Sequence, residues 1–406
     1  MTKPRKVLMI VENLSVPADP RVWHEARALS QRGLQVVIIC PKGKQAHDHA
    51  AYDFREGIHI YRYTSYTQAS GVLGYIQEYT IALIMTFWLS LKIWLKHGFD
   101  IIHVANPPDI FFLIGLFYRC YGKKFVFDQH DLASEMFRVR FKGRLKLLYK
   151  LSLFMERCSY RTAHLIITTN ESQKQNALKL GHSTAGKVFV VRNGPDLARF
   201  AQTKAEQQLK RGKRHMLVYV GVMGPQDGVE YALYALHALV YKYSRHDILL
   251  TLVGDGDQVP QLKERVQHLQ LDEYVHFTGW VSVPEMLRYI ATADIGISPD
   301  PSNDLNDRST MLKTMEYMAM GKPTVAFDLP ETRYSAQDSA LYATPNRVDD
   351  FAEQLITLLD NEKLRSEMGA RARKRVEEVL CWERCKEQLW QAYEHLLDCV
   401  YSHLWP

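Results

Sequence analysis

Short apolar runs alternate with helix-like segments in the first half of the chain. The earliest run, 7–11, is followed by a helical pattern that ends near Gly33 and by a second run at 36–39. Further runs at 101–102 and 125–127 continue the alternation. β-Branched runs separated by helical segments are typical of a parallel sheet covered by helices on both faces. The sequence therefore predicts a doubly wound α/β domain.

The same rhythm begins again after residue 215. Each new apolar run is separated from the next by a helix-like segment, and the runs lie at 217–220, 248–253, 275–277, 295–297 and 324–326. A turn signal at 192–195 and a charged, weakly periodic stretch at 203–214 separate the two series. We predict two α/β domains, 1–195 and 215–384, with a linker at 196–214.

The bulk composition agrees with two soluble domains. The chain has 406 residues, of which 47% are hydrophobic, so it exceeds the usual size of a single domain. Its six cysteines show no metal-ligand spacing and are expected to be reduced. The first five residues are too short and polar for a signal peptide, which favours a cytoplasmic location.

The most apolar stretch, 81–91, is expected to be a core helix. Thr86 and Ser90 interrupt it, and Lys92 ends it short of the roughly 20 residues needed to span a bilayer.

A basic amphipathic stretch stands out within a mild net charge of +6. Phenylalanines and leucines at 137–154 are interleaved with basic side chains: Arg138, Arg140, Lys142, Arg144, Lys146 and Lys150. Such a pattern favours a helix lying on an anionic membrane. The alternative is a solvated helix that packs on its own domain. Nucleic acid fits less well, because no aromatic stacking platform accompanies the charges.

The segment 308–323 carries the candidate donor chemistry. Ser309 and Thr310 place hydroxyls at a predicted helix N-terminus, and Gly321 marks its end. Glu316 is an acidic residue on a Met-rich helix, where a ribose diol would supply donors to its carboxylate. The alternative is an ion pair with Lys313 worth about 0.2–0.5 kcal/mol.

Several further motifs occur in a fixed order. A glycine loop at 253–257 is a weak signal alone, but it is followed by motifs at 275–280, 293–299 and 316–323. Together with 191–194, 219–221 and 19–22, this series resembles the family 4 glycosyltransferases of the GT-B fold over nearly the whole chain.

The resemblance implies two Rossmann-like domains that face a central cleft, with a C-terminal helix, 385–406, crossing back to the first domain. It implies that Glu316 binds the donor ribose, that the backbone near Phe277 and Trp280 frames the base, and that Gly221 and Gly254 belong to the donor site. It also implies transfer from a nucleotide sugar to a glycan or lipid-linked acceptor, with retained configuration and without a metal or cofactor. The expected pathway is cell-envelope polysaccharide or glycolipid assembly, which would place the enzyme on the inner face of the plasma membrane.

The first domain provides the expected catalytic residues. His130 and Asp131 follow the strand 125–127, where the family has a histidine that contacts the transferred sugar. The alternative for His130 is a side chain that only satisfies loop backbone groups. Arg21, His103 and Asn193 are candidate acceptor or phosphate contacts, although the sequence Asp19-Pro20-Arg21 equally fits a helix-capping arrangement.

Three positions depart from the family pattern. Arg308 replaces a glutamate expected two helical turns before Glu316, and Val222 and Asp227 replace two cations that hold the diphosphate. Arg308 is the third catalytic candidate beside His130 and Asp131. We hypothesise that Arg308 and Lys313, with the backbone N–H groups of Thr310 and Met311, bind the diphosphate instead.

The departures leave two other functions open, a GT-B nucleotide-sugar epimerase and a scaffold that has lost catalysis. A metal site at Asp300, Asp304 and Asp307 is not expected, because no histidines accompany these residues and loop capping explains them.

Overall fold

The computed structural model describes residues 5–43, 48–64, 71–141, 143–200 and 203–401. The chain forms two units. One consists of Met1–Arg192 with Lys386–Pro406, and the other is Asn193–Cys385. The sequence placed the first boundary at 195, whereas residues 193–200 and 203–214 belong to the second unit. Residues 201–202 of the predicted linker, 402–406 of the predicted final helix, and Lys142 lie outside the described residues.

The first unit contains a sheet with eight strands among its described residues, ordered β3-β4-β2-β1-β5-β6-β7-β8. The strands are β1 (Lys6–Ile10), β2 (Gln35–Pro41), β3 (Tyr52–Arg55), β4 (Ile58–Tyr63), β5 (Ile101–Ala105), β6 (Lys124–Gln129), β7 (Leu165–Thr168) and β8 (Val188–Val190). Only β3 among them pairs in an antiparallel manner, with β4. The order reverses between β1 and β5, and the carboxyl ends of strands at such a point are where ligands bind.

The helices of the first unit cover both faces of this sheet. They are α1 (Pro20–Gln31), α2 (Gly71–Lys96), α3 (Phe112–Arg119), α4 (Ala133–Arg140), α5 (Lys146–Thr162) and α6 (Glu171–Gly181). Helix α1 begins where the Asp19 side chain accepts a hydrogen bond from the Val22 N–H at 3.0 Å and Pro20 occupies the first turn.

The second unit contains a parallel sheet with the order β11-β10-β9-β12-β13-β14. Its strands are β9 (His215–Val220), β10 (Ile248–Val253), β11 (Val275–Gly279), β12 (Ile295–Ser298), β13 (Thr324–Phe327) and β14 (Ala340–Ala343). Its helices are α7 (Val229–His237), α8 (Val259–His268), α9 (Val283–Thr292), α10 (Leu312–Ala319), α11 (Pro330–Ala336), α12 (Val348–Asp360) and α13 (Glu362–Arg375). The strand order reverses between β9 and β12.

The last helix, α14 (Trp382–Tyr401), packs on the first unit. Its apolar face buries Leu389, Ala392 and Leu396, and the Trp390 indole donates to the Ala28 carbonyl at 2.9 Å. The expected return of the C-terminal helix to the first domain is confirmed.

Helix α2 differs from the expected short core helix. It runs for 26 residues and continues past Lys92, and only 22% of its most apolar window is buried. Thr86 and Ser90 do not end it, because both face inward, and the Ser90 hydroxyl bonds the Tyr118 hydroxyl at 2.9 Å. By length and composition alone, Leu73–Lys96 is one candidate membrane span among the described residues.

Candidate functional site

His130 lies in the loop between β6 and α4, at the carboxyl end of the first sheet. Its Nε2 is 2.6 Å from Oδ2 of Asp128, and its side chain is 14% exposed. Within the described residues its Nδ1 has no hydrogen-bond partner. A carboxylate bonded to one ring nitrogen places the proton there and leaves the other nitrogen as an acceptor.

Asp128 is buried at the centre of a charged network. Its Oδ1 lies 2.9 Å from Nη2 of Arg21, which is also 3.0 Å from Glu25. Burial alone would raise the pKa of Asp128, but Arg21, His130 and His103 outweigh it and hold that pKa well below its usual range. Burial raises the pKa of Glu25 well above its usual range. Asp128 is therefore the ionised member of this carboxylate pair.

Arg21 was a candidate acceptor or phosphate contact, and the structure places it elsewhere. It is 3% exposed, and its other Nη donates to the Val191 carbonyl at 3.0 Å. Because its guanidinium bonds both Asp128 and this carbonyl, Arg21 holds the Asp128 carboxylate in place. The capping role belongs to Asp19.

His103 is completely buried in β5. Its Nδ1 lies 2.7 Å from the Tyr393 hydroxyl of α14, and its Nε2 lies 3.5 Å from Oδ2 of Asp128. His103 therefore reaches the site through Asp128 and has no exposed surface for an acceptor. The last helix is joined in this way to the carboxylate that orients His130.

Asn106 was missed in the sequence. Its Oδ1 accepts from the backbone N–H groups of His130 at 2.7 Å and Asp131 at 3.2 Å, and its Nδ2 donates to Asp109 and to the Asp131 carbonyl. Burial raises the pKa of Asp131. Asn106 directly follows β5, so the strand-end rule that selected His130 would also have selected it.

Glu25, Asp128 and His130 offer ligand atoms within 4.8 Å of one another, which is close enough for a metal ion. The guanidinium of Arg21 already balances the charge of Asp128, and burial keeps the neighbouring Glu25 protonated. A second cation would add to that positive charge in a buried place, so this donor set fits an arginine better than a metal.

In the second unit, two glycines bring the loops after β9 and β10 together. Gly221 and Gly254 have φ of 145° and 132°, values that favour glycine. A Cβ on Gly254 would lie 2.0 Å from the Gly221 carbonyl oxygen, so a side chain has no room there. Both loops lie at the carboxyl edge of the sheet, next to the point where the strand order reverses.

Lys313, in the first turn of α10, has a partner that the sequence did not reveal. Its Nζ lies 2.5 Å from Oδ1 of Asp300 and 5.2 Å from the centre of the Tyr219 ring. The alternative pair with Glu316 is therefore wrong. So is loop capping by Asp300, which also accepts from the Ser298 hydroxyl at 2.5 Å.

The expected hydroxyl cap of α10 is also wrong. The N-cap residue is Met311, without a side-chain cap, and the Ser309 hydroxyl donates to the Leu305 carbonyl at 2.8 Å. Thr310 lies between them and Arg308 ends the short helical turn Asn306–Arg308, so all four residues precede the first turn of α10.

Glu316 is half-buried on α10, and its carboxylate makes no hydrogen bond within the described part of the chain. Burial raises its pKa to about 7, and the opposing charges of Arg199 and Lys313 limit the rise. An acidic group that is largely desolvated and unbonded is suited to a ligand that brings hydroxyl donors.

Two of the positions that depart from the family pattern lie in the loop between β9 and α7. Val222 is 56% exposed. Asp227 accepts from the Gly224 N–H at 2.8 Å, and its pKa is raised to about 6 by burial, with Lys313 opposing the rise and Asp300 adding to it. Lys313 is thus the cation shared by two carboxylates.

Trp280 and Asn193 complete the set of sequence candidates. Trp280 follows β11 and is 79% exposed, so its indole is open to a flat ligand. Asn193 is half-buried at the start of the second unit.

Two family models match the chain. Residues 20–199 match "Glycosyltransferase Family 4", and residues 214–361 match "Glycosyl transferases group 1". Among curated relatives, the chitobiosyldiphosphodolichol beta-mannosyltransferase of Candida glabrata is 21% identical over 81% of this chain and 77% of its own length. The phosphatidyl-myo-inositol mannosyltransferase of Mycolicibacterium smegmatis is 28% identical over half of each chain.

A solved structure is similar over almost the whole chain. The sucrose-phosphate synthase of Thermosynechococcus elongatus superposes with a TM-score of 0.76 at 18% identity, covering 97% of this chain and all of the other. This likeness shows the GT-B fold, with two parallel-sheet domains. The named relatives are transferases, so neither the epimerase nor the scaffold alternative is favoured. The chain is a glycosyltransferase of the family 4 type.

Proposed function

We propose that this glycosyltransferase moves a sugar from a nucleotide-sugar donor to a glycan or lipid-linked acceptor, with retention of configuration, in cell-envelope polysaccharide or glycolipid assembly. The observation that carries the proposal is the unbonded carboxylate of Glu316 on α10. A ribose diol supplies the two hydroxyl donors that this carboxylate lacks.

The donor diphosphate lies against the glycine loops and the first turn of α10. The Gly221 and Gly254 backbones have no side chains to hold a ligand away. Lys313 has three N–H donors, so it keeps Asp300 and still donates to a phosphate oxygen. The indole of Trp280 supplies an exposed surface for the base.

His130 acts on the reacting oxygens. Asp128 holds the proton on Nε2, so Nδ1 accepts a hydrogen bond from a sugar or acceptor hydroxyl. The rest of the catalysis is positioning and electrostatic stabilisation of the departing diphosphate. No metal is required, and full activity in the presence of a chelator is the expected result.

The enzyme works at the cytoplasmic face of an anionic membrane. In the stretch 137–154, Leu147 and Phe154 are 79% and 59% exposed beside the exposed cations Arg144, Lys146 and Lys150. Helix α2 adds an exposed apolar surface at Leu73, Trp88 and Leu95, which are 82%, 66% and 86% exposed. Apolar side chains that insert, flanked by cations, are typical of interfacial binding.

Vesicle flotation tests this membrane contact. The protein is expected to float with phosphatidylglycerol vesicles and not with phosphatidylcholine vesicles, and the double variant Leu147→Glu/Phe154→Glu is expected to stay in solution. Val379→Glu, which charges an exposed apolar position of the second unit, serves as the matched control. Equal flotation of all three proteins would show that 137–154 is not the contact.

A donor panel tests the reaction itself. Calorimetry with several sugar nucleotides is followed by mass spectrometry of a lipid extract and a glycan mixture incubated with each donor. Binding of one sugar nucleotide and a matching mass gain in the extract or the glycans are expected. Failure of every donor to bind would overturn the proposed donor class.

A further inference from the structure

A cavity of about 270 Å³ lies within the first unit, between α2, the segment after β5, α4 and α5. Its walls are mostly apolar and include Ile76, Ile110, Met136, Phe137, Leu148 and Met155. A concave apolar space of this kind suits a hydrophobic ligand.

Polar side chains interrupt the apolar lining at Tyr75, Tyr79, Thr80, Arg140, Ser152 and Asp109. Asp109 lines the cavity and is 4% exposed. Its Oδ1 accepts from Nδ2 of Asn106 at 3.0 Å, whereas its Oδ2 is buried and has no hydrogen-bond partner among the residues that the structure describes. Burial, followed by the charge of Glu156, raises the pKa of Asp109 to about 8. At neutral pH the carboxyl is therefore mostly protonated and has an O–H to donate.

A buried donor without an acceptor costs roughly 1–3 kcal/mol. A purely hydrocarbon ligand would leave that cost in place, because it has no lone pair to accept the proton. A neutral carbonyl oxygen on an otherwise apolar ligand accepts it. The lining and Asp109 together fit an alkyl chain with an ester carbonyl.

The cavity is joined to the candidate catalytic histidine by one side chain. Asn106 bonds Asp109 through Nδ2 and the His130 backbone N–H through Oδ1. A ligand that contacts Asp109 is therefore separated from the loop that carries His130 by a single side chain, that of Asn106. This is where the acceptor of the transferase must be anchored.

The edge of the cavity has the charge and exposure that a lipid needs. Arg140 and Leu151 line it, and Leu151 is 49% exposed. Lys146 and Lys150 are exposed on the same helix α5. These cations complement the phosphates of an anionic bilayer, from which the chain of a lipid enters the cavity.

We propose that this cavity holds an acyl chain of a glycerolipid acceptor, with the Asp109 carboxyl donating a hydrogen bond to the ester carbonyl. The inference rests on the proposed transfer to a lipid acceptor and names the class of that lipid.

The first test uses 1,2-dioctanoylglycerol as a soluble probe and calorimetry of the full chain. Leu148→Trp, which fills the cavity, is expected to weaken binding by about tenfold or more, a loss of about 1.4 kcal/mol. Leu116→Trp adds the same indole at an exposed position of α3 outside the cavity and is expected to bind like the wild type. Equal binding by the two variants overturns the proposal.

A second test changes only the ligand, so it does not depend on a variant that folds. The ether analogue 1,2-di-O-octylglycerol lacks the carbonyl and is expected to bind about tenfold more weakly than the ester to the wild-type protein. Equal affinity overturns the Asp109 contact. Tighter binding of geranylgeranyl diphosphate than of the ester, lost in Leu148→Trp, assigns the cavity to a prenyl chain and also overturns the proposal.

The outcomes separate this inference from the proposed function. If sugar is transferred to a lipid extract but dioctanoylglycerol does not bind, the proposed transferase function is supported and the proposal that the cavity binds an acyl chain is wrong. If dioctanoylglycerol binds in the cavity but no lipid in the extract receives a sugar, acyl-chain binding by the cavity is supported and the proposed lipid acceptor is wrong.

Discussion

Oδ1 of Asp300 and Nζ of Lys313 lie 2.5 Å apart, and their side chains are only 2% and 10% exposed. The pair stands at the carboxyl edge of the second sheet, beside the Gly221 loop. It fixes the position of the cation that we assign to the donor diphosphate. A buried pair of this kind is costly to break, because the remaining charge loses its partner and does not regain water.

Lys313→Met is expected to lower the free energy of unfolding by about 3 kcal/mol, because Asp300 is left buried and unpaired. Adding Asp300→Asn removes the stranded charge and is expected to restore most of that stability. Urea denaturation of the two single variants and the double variant measures the coupling. Additive losses in the double variant would mean that the pair is not formed in solution.

Glu316 is expected to make donor binding depend on pH. Burial raises its pKa from 4.5 to about 7, whereas a ribose diol bonds the ionised form. Donor binding must therefore release a proton below pH 7, and affinity should fall by about tenfold for each unit below that pH. Calorimetry in buffers with different ionisation enthalpies measures both effects, and Glu316→Gln is expected to abolish them.

The same shift gives a stability prediction with the opposite sign. The folded protein holds the Glu316 proton more tightly than the unfolded chain, so stability without ligand falls as pH rises from about 4.5 to 7. Glu316→Gln is expected to flatten this part of the stability profile and to be more stable than the wild type at pH 8. A difference in stability between the two proteins that does not change over this interval contradicts the assignment.

His130→Ala is expected to lower kcat by about 10²–10⁴-fold, because it removes the group that meets the reacting oxygens. His268→Ala, on the exposed surface of α8, is the matched control and should retain full activity. Donor affinity measured by calorimetry should be unchanged in both variants. Normal turnover of His130→Ala would mean that His130 only satisfies groups in its own loop and takes no part in the reaction.

Tyr393→Phe is expected to cost about 1–3 kcal/mol of stability, because it leaves Nδ1 of the buried His103 without a partner. Tyr121→Phe removes a phenol that is 54% exposed and should cost almost nothing. Urea denaturation compares the two variants. Equal stability would mean that the hydroxyl of Tyr393 has no role in the packing of α14.

The sequence predicted the central strands well because a strand buried on both faces is a continuous apolar run, as in β1, β9 and β10. The β3–β4 hairpin was missed. β3 lies at the edge, where Tyr52 and Phe54 are 47% and 57% exposed. β4 lies inside the sheet, but His59 and Arg62 interrupt its apolar residues, so neither strand carries a clear apolar run.

The prediction that α2 is a short core helix was wrong because Thr86 and Ser90, although polar, lie on the buried side of the helix and do not interrupt it. Ser90 faces inward and is satisfied by the Tyr118 hydroxyl, while Trp88 faces outward at 66% exposure. The partner of Ser90 lies 28 residues away, so no local pattern reveals it.

The candidate site was predicted only in part for a similar reason. Strand ends identified His130, and the ordered motifs identified Glu316. Two contacts in the site were not predicted, the ion pair of Asp300 with Lys313 and the hydrogen bond of Tyr393 with His103. Each joins residues that only folding brings together, so no spacing in the sequence reveals it.

The bond between Tyr393 and His103 joins the last helix to a strand made 290 residues earlier. During synthesis, the ribosome releases β5, β6 and α1 long before α14 exists. Until α14 has been made, Nδ1 of His103 lacks the hydroxyl that it bonds in the folded unit. A polypeptide interrupted before Tyr393 therefore has the strands of the first unit but lacks this contact at the edge of the charged network beneath His130.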